Sequence, residues 1–195
     1  MESKPKRGIP KITFNAPVVL IFTLVCVVVQ VVSMLTGGRS TNAFFAFDTT
    51  TLSHPLEWFK LVSFACGHVS WDHLVGNMTF ILLLGPLLEE KYGSANLAAI
   101  MLASALAGSV TSILIFHTGG VGASGIVFTF ILLSSITNLR EGEIPLTFIL
   151  VAVLYFGQQI YGALFVHDFV SYHGHIVGGI VGSVVGFLLP EKSRK

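Results

Sequence analysis

Charge is what this chain has least of. Asp, Glu, Lys and Arg together supply 11% of its 195 residues, whereas 53% are hydrophobic, and the mean hydropathy is +0.80. A soluble domain carries about 25% charged residues, so that class is excluded. The net charge of +1 gives no electrostatic footprint for nucleic acid, and no nucleic-acid partner is expected. Only two cysteines are present, too few for a disulfide framework. Cys26 falls in the first apolar run and Cys66 in the connection after it, at different expected depths, so the two are not expected to pair. No small-x-small cleavage site follows that first run, and its apolar part is too long for a signal peptide, so it reads as a retained helix. Internal repeats and low-complexity tracts are absent as well.

Long apolar runs are what the chain has instead. A hydrocarbon core of about 30 Å takes roughly 20 apolar residues per helical crossing, and six runs qualify, at about 15–36, 72–90, 95–117, 123–139, 145–165 and 174–189. Spanning segments that satisfy their own backbone are helices. The expected architecture is therefore an all-α membrane protein, one six-helix bundle over residues 1–195 with short tails at about 1–14 and 190–195. Its expected location is a multi-pass position in a bacterial inner (plasma) membrane, with membrane lipids as partners.

Positive residues near helix ends stay cytoplasmic. Six crossings put Lys4, Lys6, Arg7, Lys11, Lys91, Arg140, Lys192, Arg194 and Lys195 on one side and leave Arg39 and Lys60 on the other, nine against two of the 11 basic residues. Both termini are thus expected to be cytoplasmic. The connection between the first two spans, about 35 residues long, lies outside; its "FFAFDTT", "HPLEWFK" and "FACGH" are aromatic enough to lie along the membrane interface.

A polar side chain inside a span is costly, which makes each one a candidate site. Span two opens "HVSWDHLVGNMTF", where His73 and Asn77, four apart, share a helical face. Span four opens with Ser124 in "GASG". Span six opens "YHGHIVGGIVGSVVGF", where Gly178, Gly182 and Gly186, widened by Gly179, form a stripe that lets another backbone approach closely, with His175 at its outer end. The three spans run in the same direction and carry these residues within their first two turns, at about 1.5 Å of depth per residue. A hydroxyl, two imidazoles and an amide therefore share a plane near the outer face. An imidazole within reach of a serine hydroxyl takes its proton and makes it a nucleophile, which assigns Ser124 and His175 as a catalytic dyad. The acids near that face, Asp48, Glu57, Asp72 and Asp168, are not placed to make it a triad. His73, Asn77 and the Ser124 backbone N–H are candidate oxyanion donors. His54, His117, His167 and His173 read as interfacial histidines.

These residues resemble the rhomboid intramembrane serine proteases. Gly122-Ala123-Ser124-Gly125 is similar to their G-x-S-G motif, His73 through Asn77 to their H-x-x-x-N, and His175 through Gly178 to their H-x-x-G, in the same order and on the same numbered helices. The resemblance implies Ser124 as nucleophile, His175 as base, an oxyanion pocket with His73 and Asn77, and no cofactor. It implies a structural hydrogen-bonding role for Glu89, four residues before Gly93, and single-span membrane proteins as substrates. Two positions depart from the family pattern. Phe59-Lys60 stands where Trp-Arg is common, and Phe128, expected to stack on the base, stands where tyrosine is common. Two other readings stay open: a catalytically silent relative that binds membrane clients, and a metal site or transporter built on His68, His73, His173 and His175.

Overall fold

The computed structural model describes residues 13–136 and 172–190, with six further positions between 146 and 157. The rest of the expected fifth span, His167, residues 1–12 and 191–195 of the expected tails, and the segment from Val166 to Ser171 lie outside the described residues. Seven α-helices are described: α1 (Pro17–Leu35), α2 (Arg39–Phe44), α3 (Lys60–Ser63), α4 (Trp71–Tyr92), α5 (Ser94–Leu114), α6 (Ser124–Ile136) and α7 (Tyr172–Leu188). Helices α1, α4 and α5 are each long and apolar enough to cross a membrane; within α6 and α7, Ser124–Ser135 and His173–Leu188 form shorter apolar helices. Apolar side chains such as Leu24, Val28 and Leu83 stand exposed on the outer faces of α1 and α4, the arrangement of a bundle whose solvent is hydrocarbon.

Glu89 ties the start of α1 to the end of α4. Its buried carboxylate accepts hydrogen bonds from the Val18 and Val19 amides at 3.0 and 3.1 Å and from the Ser94 hydroxyl at 2.7 Å. The first amides of a helix have no intrahelical acceptor and sit at the positive end of its dipole, so a carboxylate there satisfies both needs. Gly93, at φ +79°, turns the chain directly from α4 into α5.

The connection from α1 to α4 is folded. It carries α2, α3 and three 3₁₀ turns, and Phe47, Leu61 and Ile113 make a small core of their own beneath it. Phe47 and Gly120 exchange backbone hydrogen bonds at 3.2 and 3.0 Å, fastening this connection to the segment that leads into α6. The fold also brings Cys66 close to Cys26: both are free thiols, and Cys26 Sγ donates to the carbonyl of Ala65, the residue before Cys66, at 3.9 Å. The expected difference in depth is thus corrected, because the Phe64–Cys66 turn folds back against α1.

Helix α5 is the central element, packed against α1, α3, α4, α6 and α7. Its contact with α7 is backbone on backbone. A Cβ at Gly108 would stand 2.9 Å from the Gly174 carbonyl oxygen, and one at Gly178 would stand 2.8 Å from that of Ser104. Small residues at such spacing allow helices to approach where water supplies no hydrophobic force between them.

Candidate active site

Ser124 is the first residue of α6 and His175 lies in the first turn of α7. Their side chains meet, Ser124 Oγ to His175 Nε2 at 2.6 Å. Two features set this geometry. Gly122, at φ +121°, takes a backbone conformation that side-chain-bearing residues avoid and delivers Ser124 to the helix start. The glycine stripe then seats α7 against α5 and α6: Gly179 lies on the Phe128 ring, and a Cβ at Gly182 would meet Thr129 Oγ1 at 2.5 Å.

His73 and Asn77 flank the same turn from α4. A Cβ at Gly122 would lie 2.9 Å from His73 Nε2 and 3.8 Å from Asn77 Nδ2, so both side chains face the backbone two residues before Ser124. The Ser70 hydroxyl accepts the His73 amide at 3.1 Å and starts the helix that presents them. Asn77 Nδ2 is buried and donates to no group among the described residues. The backbone N–H of Ser124, at a helix N-terminus, is one of the donors a helix leaves unsatisfied. Gly122's own amide is already committed to the Phe64 carbonyl at 2.9 Å.

His73, His175 and the glycines on either side of the Ala123-Ser124 pair, Gly122 and Gly125, border a cavity of about 420 Å³, whose walls also include Phe47, Phe64, Ala105 and Ile126. It is mostly apolar, with His73, His175, Ser104 and Ser112 as its polar side chains, the usual make-up of a site that binds an apolar segment and fixes its orientation with few polar groups.

Phe128 is fully buried, its ring against Gly179, one helical turn beyond His175 on α7. Gly125 sits beside Ser104. Lys60 is buried against Glu57 at 2.9 Å. The four histidines of the metal reading do not converge: the His173 ring stacks on Phe116, centroids 4.1 Å apart, while His175 engages Ser124. Among the described residues no group of three His, Cys, Asp or Glu side chains is placed to hold a metal ion.

Sequence reasoning missed two supports. Thr129, fully buried, has its hydroxyl within hydrogen-bond distance of Ser104 Oγ at 3.1 Å, the Gly125 carbonyl at 3.1 Å and the Gly178 carbonyl at 3.3 Å, at the junction of three helices near Ser124 and His175. The signal was the small-residue spacing of Ser104 and Gly108 on α5. His68 is the other, 1% exposed and edge-to-face with His73 at 5.0 Å between centroids. Burial, reinforced by His73 and partly opposed by the nearby Cys66 carbonyl, lowers its pKa to about 4, so it is neutral in the physiological range.

Residues 55–192, more than two thirds of the chain, match a family model described as the Rhomboid domain. The chain is 30% identical over 171 residues to mouse Rhomboid-related protein 2, covering 76% of this chain and 56% of that protein. It is 28% identical over 150 residues to the chloroplastic Rhomboid-like protein 11 of Arabidopsis thaliana, covering 69% and 53%. With Rhomboid protease GluP of Bacillus subtilis it shares 31% identity over 97 residues, 47% of this chain and 19% of that one. The chain thus spans little more than half the length of the first two and a fifth of the third. Since the matched segment covers more than two thirds of the chain and carries Ser124, His175, His73 and Asn77, which the helices bring together around Gly122 and Ser124, the chain belongs to the rhomboid family.

Proposed function

We propose that this protein is an intramembrane serine endopeptidase that cuts single-span membrane proteins near their outer boundary. The observation that carries the proposal is the 2.6 Å contact between Ser124 Oγ and His175 Nε2, made by residues 51 apart in the chain. Packing alone does not require a hydroxyl to meet an imidazole that lines an apolar cavity.

The chemistry follows from that contact. Ser124 Oγ attacks the scissile carbonyl while His175 Nε2 takes its proton. The oxyanion receives hydrogen bonds from the Ser124 amide, Asn77 Nδ2 and the His73 ring. The imidazolium then gives its proton to the leaving amine, the peptide C–N bond breaks, and a water activated by the same imidazole releases the acyl group and restores Ser124. Phe128, packed beneath α7, supports the position of the base.

We assign six crossings, cytoplasmic termini and a bacterial plasma membrane, with lipid on all sides. The site's place at the first turns of α6 and α7 supports cleavage close to one membrane face. A peptide bond within a stable helix is hidden, so a substrate must unwind there, and glycine or proline near the cut helps it do so.

Reconstituted parent and Ser124→Ala proteins, incubated with a panel of single-span proteins that differ in helix-breaking residues near that boundary, test the proposal. The parent is expected to cut, faster where glycine or proline stands near the bond, and Ser124→Ala to leave every substrate intact. Equal products from both proteins, or none from the parent, would overturn it in favour of a client-binding relative.

A further inference from the structure

His68 immediately precedes the segment that starts α4, and its backbone is held on both sides. A Cβ at Gly67 would meet the Phe45 carbonyl oxygen at 2.7 Å and Val121 Cγ2 at 2.9 Å, while two residues later Ser70 caps α4 through the His73 amide. The imidazole between these anchors is buried and in edge-to-face contact with that of His73. Both His68 nitrogens and His73 Nδ1 are buried with no hydrogen-bond partner among the described residues.

Buried polar atoms are satisfied almost without exception, so three orphan nitrogens in adjoining rings need an account. A neutral imidazole has one donor and one acceptor nitrogen. The Cys66 carbonyl lies beside His68 without the alignment of a hydrogen bond; it is the natural acceptor for the His68 N–H after a small ring rotation. The remaining His68 nitrogen and His73 Nδ1 are then both acceptors, and one water donating to each satisfies the set, which meets the two-to-four-partner requirement of a buried water.

The consequence falls on His73. Its Cε1–Nε2 edge faces Gly122, and only the tautomer with hydrogen on Nε2 donates in that direction. We infer that His68 is a positioning residue that holds a water against His73 Nδ1 and thereby fixes the Nε2–H tautomer presented to the Ser124 site. The inference rests on the endopeptidase reading for its use, although the tautomer itself is a property of the resting protein.

Nitrogen NMR of the full chain with labelled histidine, reconstituted in lipid nanodiscs, reads that tautomer directly, with the His73 signal assigned by His73→Ala. The parent is expected to show a single Nε2–H form. His68→Phe keeps the edge contact and removes both nitrogens; it should give a tautomer mixture and lower kcat about tenfold, the scale of losing an outer hydrogen bond that orients a functional imidazole, with KM unchanged. His68→Gln, which retains a donor and an acceptor, should restore most of kcat, and His68→Phe should add nothing in a His73→Ala background. A parent spectrum showing Nδ1–H or a mixture would overturn the inference whatever the variants do, as would an unchanged tautomer in His68→Phe. Absence of cleavage by the parent would instead count against the endopeptidase reading, and the spectrum would still decide the role of His68.

Discussion

Gly178 on α7 lies so close to Ser104 on α5 that a methyl group on Gly178 would stand 2.8 Å from the Ser104 carbonyl oxygen. The obstacle is backbone, which moves only if a helix moves, and His175 is one turn away on the displaced element. The dyad distance is therefore coupled to this contact.

Gly178→Ala is expected to cost about 1–3 kcal/mol through overpacking and to slow cleavage by shifting His175. Gly76→Ala is the control, since a Cβ there meets nothing within 4 Å. Unfolding midpoints and cleavage rates of both variants in the same lipid check the pair: a Gly178→Ala protein as stable and active as parent would show that α7 is not seated by this contact.

The meeting of Ser124 with His175 was legible in the sequence because the residues of each apolar run could be ranked by distance from its start. Ser124, His73, Asn77 and His175 each lie near the start of α6, α4 or α7, and the structure brings these starts together around Gly122. The glycine stripe was legible for a similar reason, as a spacing on one helix. The folded connection was not. Its short turns have no strong period, so neither the contact of Cys66 with Cys26 nor the burial of His68 could be read from spacing; both depend on the chain folding back between α1 and the turn before α6. Span ends were blurred as well. The third run reads as helix to about 117, but α5 stops at Leu114, and His117 adopts φ +53°, a break that apolar composition does not announce.

Asn77 and His73 separate catalysis from packing. Removing one oxyanion donor costs about 2.7–4 kcal/mol of transition-state stabilisation, so Asn77→Ala and His73→Ala should each slow cleavage by two to three orders of magnitude on that scale while unfolding near the parental midpoint. Parental rates in the double variant would return both residues to a structural role.

His68 makes stability depend on pH. Its pKa in the folded protein, about 4, lies below the ordinary 6.5, so the unfolded chain binds the extra proton first. The stabilisation is complete above pH 6.5 and is lost as the pH falls from 6.5 towards 4, reaching about 3 kcal/mol over that window. Denaturant unfolding of parent and His68→Phe across this range should show a steeper acid decline in the parent, and parallel profiles would contradict a buried neutral His68.

A serine-directed covalent probe tests the central claim most directly, because only a hydroxyl activated by a neighbouring base reacts at neutral pH. With the parent reconstituted in lipid, mass spectrometry should locate the adduct on Ser124 alone. Labelling should vanish in Ser124→Ala and fall sharply in His175→Ala, and the double variant should lose no more cleavage activity than either single one, as mutually dependent catalytic residues do. An unlabelled Ser124 in a parent that still cleaves, or labelling undiminished in His175→Ala, would contradict the Ser124–His175 dyad.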